Sequence, residues 1–311
     1  MTDTANERHV GRVERLLHLQ RLPLFSTLAP GDLAVLASYA RERFFPKGAA
    51  LLRNGEPVGA IHLVVEGSVR VSQHGRPLRV AGSHDAIGVI GLLARAAEGF
   101  ESIAVTDTLT LEIDADTLSD IFDDHFSIYL HLLRGVARRS LDDRRQLAAD
   151  AGYSGPSDRC KVLPARPLDL VERIIFLRRT LPLGRSSITA LADLARRVTE
   201  LHLPPGARLW SQGDPSDAVL LLVSGWVEGV VDGGRQRFRF GPGASVGGLD
   251  SLAGVPRWYE PTTEDKLVAL RLSTQDLIDV LEDHTQVATE LMAVVARDAL
   301  ETAERRRDAQ G

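Results

Sequence analysis

One stretch of this chain brings together residue types and spacing that could do chemistry. It reads Gly247-Gly248-Leu249-Asp250-Ser251-Leu252-Ala253-Gly254-Val255-Pro256-Arg257-Trp258-Tyr259, with Arg257 nine residues beyond Gly248. The glycines open a tight turn into a short apolar helical turn carrying Leu249 and Leu252. Backbone N–H groups at such a turn, beside a guanidinium, suit a phosphate. The competing reading is a Gly/Pro loop capped by a surface arginine, and the surrounding elements must decide between them.

Other chemistries find little support. Cys160 is the single cysteine, which rules out an internal disulfide and a multi-cysteine metal site. His125 and His284 have no Cys, His or Asp partners at metal-ligand spacing, and their place between helices predicts capping or packing. There is no P-loop. The chain has 311 residues, 44% apolar content and a formal net charge of -5, so nothing in its overall balance attracts nucleic acid or anionic lipid. The N-terminus lacks an apolar signal core, and runs such as Val219 to Val223 are too short to span a bilayer, so a cytoplasmic protein is expected.

The chain repeats itself. Val13-Glu14-Arg15-Leu16-Leu17 returns as Val171-Glu172-Arg173-Ile174-Ile175, an offset of 158. At the same offset Phe45-Pro46-Lys47-Gly48 falls on Leu203-Pro204-Pro205-Gly206, and Asn54-Gly55-Glu56-Pro57 on Gln212-Gly213-Asp214-Pro215. After one inserted residue, Gly88 falls on Gly247 and Phe122-Asp123-Asp124-His125 on Leu281-Glu282-Asp283-His284. Turn residues held in register over a whole domain identify a tandem duplication.

Within a copy, Val10, Val13, Leu16, Leu17 and Leu19 predict a leading helix over 5–20, and Pro30 starts a second. Short runs punctuated by Gly48, Gly55, Gly67 and Gly75 then predict an antiparallel roll. Asp114 and Asp116 are placed to cap the helix that follows, and a longer helix carries Leu130, Leu133, Ala137 and Leu141. Residues 1–150 and 168–311 form the two domains, with 151–167, rich in Gly, Ser and Pro and including Cys160, as linker.

Helix, roll, helix, with the glycine-arginine stretch late in the roll, resembles the cyclic-nucleotide-binding domain family. Pro46-Lys47-Gly48 and Pro204-Pro205-Gly206, the Gly-acid turns Gly55-Glu56 and Gly213-Asp214, and Gly67 and Gly225 carry the resemblance. It implies an α+β fold, mainly β with flanking helices: two tandem jelly-roll domains, each with N-terminal helices and a long C-terminal helix. In the family a Gly-Glu-Leu cassette accepts the ribose 2′-OH on its Glu, and an Arg followed by a small residue holds the cyclic phosphate.

In the second copy Gly247 and Leu249 match, Gly248 stands where the Glu belongs, and Arg257 keeps the arginine position but is followed by bulky Trp258 and Tyr259. In the first copy Gly88 matches, Val89 replaces the Glu, Ile90 follows, and Glu98 takes the arginine position. The resemblance therefore implies a non-enzymatic regulatory protein. Its first domain does not bind, and its second has cyclic AMP or cyclic GMP as candidate ligand with binding weak, altered or absent.

The alternative is a degenerate scaffold or oligomerisation module. Its partner would be another protein, or a second copy of the chain, held through the long helices. Direct nucleic-acid binding is not expected. The clusters Arg138-Arg139, Arg144-Arg145 and Arg305-Arg306-Arg307 share their helices with acids and read as solvated faces. Ser186 to Val198 resembles a helix-turn-helix only superficially, because it aligns with residues 28–40 ahead of a roll.

Overall fold

Two leading helices, α1 (Arg12–Arg21) and α2 (Pro30–Tyr39), open the first copy, with Pro30 at the first helical turn, where a missing N–H costs nothing. The computed structural model describes residues 11–22, 24–96, 99–147, 166–180, 182–234 and 236–310; Cys160, Glu98 and most of the expected linker lie outside them. The roll follows as β1 (Arg41–Phe45), β2 (Ala50–Leu52), β3 (Ala60–Glu66), β4 (Val69–Gln73), β5 (Arg76–Ala81), β6 (Ala86–Ile87), the short helix α3 (Val89–Leu93), β7 (Phe100–Ala104) and β8 (Thr108–Asp114). Helices α4 (Ala115–Asp124) and α5 (Phe126–Arg145) close it.

The strands form two antiparallel sheets in the orders β1-β8-β3-β6 and β2-β7-β4-β5. Their inward faces bury Leu52, Val64, Val69, Val71 and Ile87 in one apolar cluster, joined by Val58 from the loop before β3.

The second copy repeats this plan: α6 (Leu170–Arg179), α7 (Ile188–Arg197), β9 (Thr199–Leu203), β10 (Ala218–Ser224), β11 (Val227–Val231), β12 (Gln236–Phe240), β13 (Ser245–Val246), α8 (Gly248–Ala253), β14 (Glu260–Thr263), β15 (Leu267–Ser273), α9 (Thr274–Asp283) and α10 (Thr285–Gln310). Its sheets run β13-β10-β15-β9 and β12-β11-β14; the counterpart of β2 is reduced to one bridge between Arg208 and Thr262.

The duplication reaches the fine structure. β3 on β8 shifts register between Val64 and Glu66, and β10 on β15 shifts between Leu222 and Ser224, the same place 158 residues on. Asp114 caps α4 by accepting from the Thr117 N–H at 2.8 Å, and Ser273 caps α9 by accepting from Asp276 at 3.0 Å. His125 and His284 end α4 and α9, each N–H closing the last turn, and His284 also pairs with Asp193 at 3.4 Å. By packing, the chain divides between Leu132 and Leu133, within α5, so the last turns of that helix belong with the second unit.

Gly225 shows why the repeated turns keep glycine. It sits at φ +88°, and a Cβ there would lie 2.6 Å from the Lys266 carbonyl oxygen. Gly67 stands in the same conformation, and a Cβ there would lie 2.5 Å from the Asp107 carbonyl oxygen. Gly225→Ala is expected to cost about 1–3 kcal/mol through backbone strain and displacement of the β15 turn. Urea unfolding of the second unit checks this, and a loss below about 0.5 kcal/mol would show that the turn relaxes freely.

In the first unit the inward position His62 on β3 carries an imidazole where the second has Leu220. The ring is 3% exposed, lies edge-on to Phe45 at 5.4 Å, and sits 3.4 Å from the Thr110 hydroxyl. Burial pushes its pKa down to about 4; Glu112 at 3.8 Å pulls the other way and Arg43 assists burial.

Candidate functional site

The stretch around Gly247 folds into a turn, the short helix α8 and a return strand. Gly247 is the α8 N-cap at φ +76°. A Cβ on it would lie 2.4 Å from the Arg257 Nη1 and 2.8 Å from Trp210, so only glycine lets the guanidinium come this close. Gly254 then ends α8 in the left-handed region, and the Gly-Val-Pro break carries the chain to Arg257. Hydrogen bonds from Arg257 N to the Asp214 oxygen at 2.8 Å, and from Gly213 N to the Arg257 oxygen at 2.7 Å, pin the break to the Gly-acid turn.

Arg257 is not a surface arginine. It is 3% exposed, and its guanidinium is committed on several sides by its own unit. Nη1 donates to the Gly247 carbonyl at 3.0 Å and to the Ser251 hydroxyl at 3.3 Å; Nη2 donates to the Ala218 carbonyl at 2.5 Å. The Trp210 ring covers its face, 4.0 Å from Cζ to the ring centroid.

The charge is met by Asp250. Its Oδ1 lies 3.3 Å from Nη1, and Asp250 is itself only 1% exposed. Neither Asp250 oxygen completes a well-aligned hydrogen bond among the described residues, although the Arg257 guanidinium and the backbone N–H groups of Asp250 and Ser251 approach the carboxylate. Burial raises the Asp250 carboxyl above its ordinary range, with Arg257 opposing the shift. Asp217, mostly exposed, stands farther off at 3.9 Å.

The two bulky residues after Arg257 also turn inward. Trp258 packs on Phe238 with ring centroids 5.0 Å apart, and Tyr259 stacks on Phe240 at 5.9 Å. The Tyr259 hydroxyl accepts from the Gly247 N–H at 3.0 Å, occupying an amide at the opening of the cassette. Burial pushes the Tyr259 hydroxyl pKa well up. A Cβ at Gly248 would meet the Ser245 Oγ at 2.6 Å, a hydroxyl that can rotate aside, and its next neighbour only at 3.7 Å, so the missing carboxylate reflects the sequence and not a lack of room. Leu249 lines the cavity between roll and closing helix described below.

In the first copy Gly88 caps α3 at φ +85°, and a Cβ there would lie 2.7 Å from the Ala60 carbonyl. Val89 is buried and Ile90 partly so. The offset of 159 sets Gly91 opposite Asp250 and Phe100 opposite Tyr259, so the acidic partner is particular to the second copy.

Sequence reasoning singled out Gly247, Gly248, Leu249, Arg257, Trp258 and Tyr259, and the fold gathers all six around α8. It passed over Asp250 and Trp210. Asp250 had a signal, an acid on an otherwise small and apolar helical turn; Trp210, 47 residues upstream of Arg257, had none.

The arginine clusters need correction. Arg138, Arg139, Arg145 and Arg305 are exposed as expected, but Arg138, Arg144 and Arg306 are also bonded within the second unit. Arg138 Nε donates to the Ala253 carbonyl at 2.8 Å, at the end of α8. Arg144 pairs with Asp298 of α10, which also accepts from the Ser140 hydroxyl at 2.5 Å. Arg306 pairs with Asp143 at 2.6 Å. The reason is physical: the acids on one helix lie against the arginines of the other, which a single helical wheel does not show.

Two β-rolls, each with a glycine-opened short helix and a long helix closing it, define a duplicated roll module. The profile of the cyclic nucleotide-binding domain matches residues 42–125 and 200–284, and the chain belongs to that family. A segment of 135 residues, 42% of the chain, is 25% identical to the CRP-like cAMP-activated global transcriptional regulator of Mycobacterium tuberculosis and spans 60% of it. Another of 96 residues, 29% of the chain, is 30% identical to the cyclic AMP receptor protein of Thermus thermophilus and spans 44% of it. Among solved structures, the regulatory subunit of a cAMP-independent protein kinase A from Trypanosoma brucei is similar over 88% of this chain and 89% of its own, at 19% identity and a TM-score of 0.36. No described helix is long and apolar enough to cross a membrane, and no described group of three or more His, Cys, Asp or Glu could hold a metal ion.

Proposed function

We propose that the chain is a non-enzymatic regulatory protein whose two cyclic-nucleotide-binding-like units have lost nucleotide binding of the family kind. The observation that carries this reading is the internal commitment of Arg257. Asp250 at 3.3 Å supplies the negative charge that a cyclic phosphate would bring, and three carbonyl or hydroxyl oxygens accept from the two terminal nitrogens of Arg257, Nη1 and Nη2. A phosphate entering here would have to displace a carboxylate already inside, and would face its repulsion. The 2′-OH acceptor is absent at Gly248, and Tyr259 holds the Gly247 amide. Two relatives carry cyclic AMP in their names, which supports descent from a nucleotide-binding ancestor.

Regulation needs a route between elements. The last turns of α5, which in sequence close the first copy, are bonded to the end of α8 through Arg138 and to α10 through Arg144 and Ser140. A change in the position of α5 is therefore felt at the cassette of the second copy, and a partner protein engaging either long helix would shift that balance.

Isothermal titration of the wild type with cyclic AMP and cyclic GMP is expected to give no saturable heat. Saturable binding that Arg257→Lys weakens at least tenfold would overturn this reading. The scaffold alternative is favoured by one observation. Val13 and Leu17 on α1 are exposed, and so are Val171 and Ile175 on α6, the same two positions of the repeat.

A further inference from the structure

The second unit keeps a cavity of about 230 Å³ between its roll and the helices that close it. Its walls are strongly apolar: Leu221 and Phe240 from the roll, Leu183 and Leu194 from the leading segment, Leu291 and Val294 from α10. An apolar cavity of about 150 Å³ is enough to bind benzene, so this one admits a somewhat larger ring system. Asp250 also lines it, with both carboxylate oxygens buried and neither in a well-aligned hydrogen bond among the described residues. A carboxylate has roughly four acceptor sites, and the ion pair with Arg257 engages one oxygen without hydrogen-bond alignment. Buried polar groups are costly to leave without a partner, and this one borders open space of ligand size.

We infer that this cavity takes a small, mainly apolar molecule carrying one hydrogen-bond donor, a hydroxyl or an amine, and that the donor is received by Asp250. The inference rests on the reading of Arg257 given above, because a guanidinium free for phosphate would favour an anion instead. The walls supply apolar burial; Arg144 and Asp298, which also line the cavity, are paired with each other, so the Asp250 carboxylate supplies orientation and disfavours acids of the same shape. Leu291 and Val294 place the ligand directly against α10, the helix that pairs with α5 through Asp298.

Three compounds of one ring system test it: 1-naphthalenemethanol, 1-naphthylmethylamine and 1-naphthoate, followed by equilibrium dialysis on the full chain. The alcohol and the amine are expected to bind saturably, one per chain, at least tenfold more tightly than the acid. Leu291→Trp, which fills the cavity from α10, is expected to weaken the alcohol and the amine at least tenfold while the circular dichroism spectrum is retained. Asp250→Asn is expected to bring the three compounds within about threefold of one another. Equal binding of acid and amine to the wild type overturns the inference, as does absence of saturable binding of both donors. Unchanged affinity in Leu291→Trp does the same. These outcomes leave the cyclic nucleotide titration untouched, so failure here and failure of the proposed function are told apart.

Discussion

Arg257→Ala is expected to destabilise the second unit by about 3–5 kcal/mol, the cost of breaking a buried ion pair from one side. The substitution leaves the Asp250 carboxylate, 1% exposed, without its counter-charge, and strips three N–H donors from the Gly247, Ser251 and Ala218 oxygens. Trp210 loses the cation stacked 4.0 Å from its ring. All three tryptophans, Trp210, Trp226 and Trp258, lie in this unit, so their emission in urea reads its unfolding directly. The double variant Asp250→Leu with Arg257→Met should recover most of the loss, since an apolar pair of similar volume replaces a desolvated ionic one at little or no cost. A phosphate-binding arginine awaiting a ligand would behave differently, with alanine costing under about 1 kcal/mol. A loss that small would contradict the structural role, and so would a double variant no more stable than Arg257→Ala.

How legible this was in the sequence depended on the kind of constraint. Turn glycines such as Gly67 and Gly225 are fixed by backbone conformation, a local demand, and their recurrence at one offset exposed the duplication and through it the roll. Caps were equally local: Asp114 does what an acid ahead of a helix does. The arginine position was legible for the same reason, since its spacing from Gly248 is set by the short helix and the Gly-Val-Pro break.

What Arg257 bonds to was not legible. Its partners Asp250, Ala218 and Trp210 come from a helix, a strand and a distant loop, and only the closed roll brings them together. The arginines of α5 failed in the opposite direction. Their helix looked complete alone, yet Arg144 finds its acid on α10, more than 150 residues on. The inward histidine of β3 was passed over altogether, because alternation in a short strand marks a position as inward without saying what an imidazole there costs.

That histidine adds its own step to the pH response of the first unit. With a folded pKa of about 4 against 6.5 unfolded, His62 contributes stability that is fully present above pH 6.5. Below it the unfolded chain takes up a proton that the buried ring resists, so this contribution is lost as pH falls from 6.5 through about 4. At about 1.4 kcal/mol for each pKa unit, the loss amounts to about 3 kcal/mol. His62→Leu is the informative replacement, because the second roll carries Leu220, 5% exposed, at the same repeat position. Stabilities of wild type and variant, from urea unfolding followed by far-ultraviolet circular dichroism, should differ by a roughly constant amount above pH 6.5. Below that, the difference should shift against the wild type by about 3 kcal/mol down to pH 4. Subtracting the variant cancels the shared carboxylates, among them Asp114, whose pKa the Thr117 N–H holds down. Tryptophan emission, confined to the second unit, should show no difference between the two proteins at any pH. A wild-type-minus-variant difference that stays constant to within about 0.5 kcal/mol from pH 7.5 to 4 would mean the ring gains water or a counter-charge on protonation, and would remove His62 as the origin of the response.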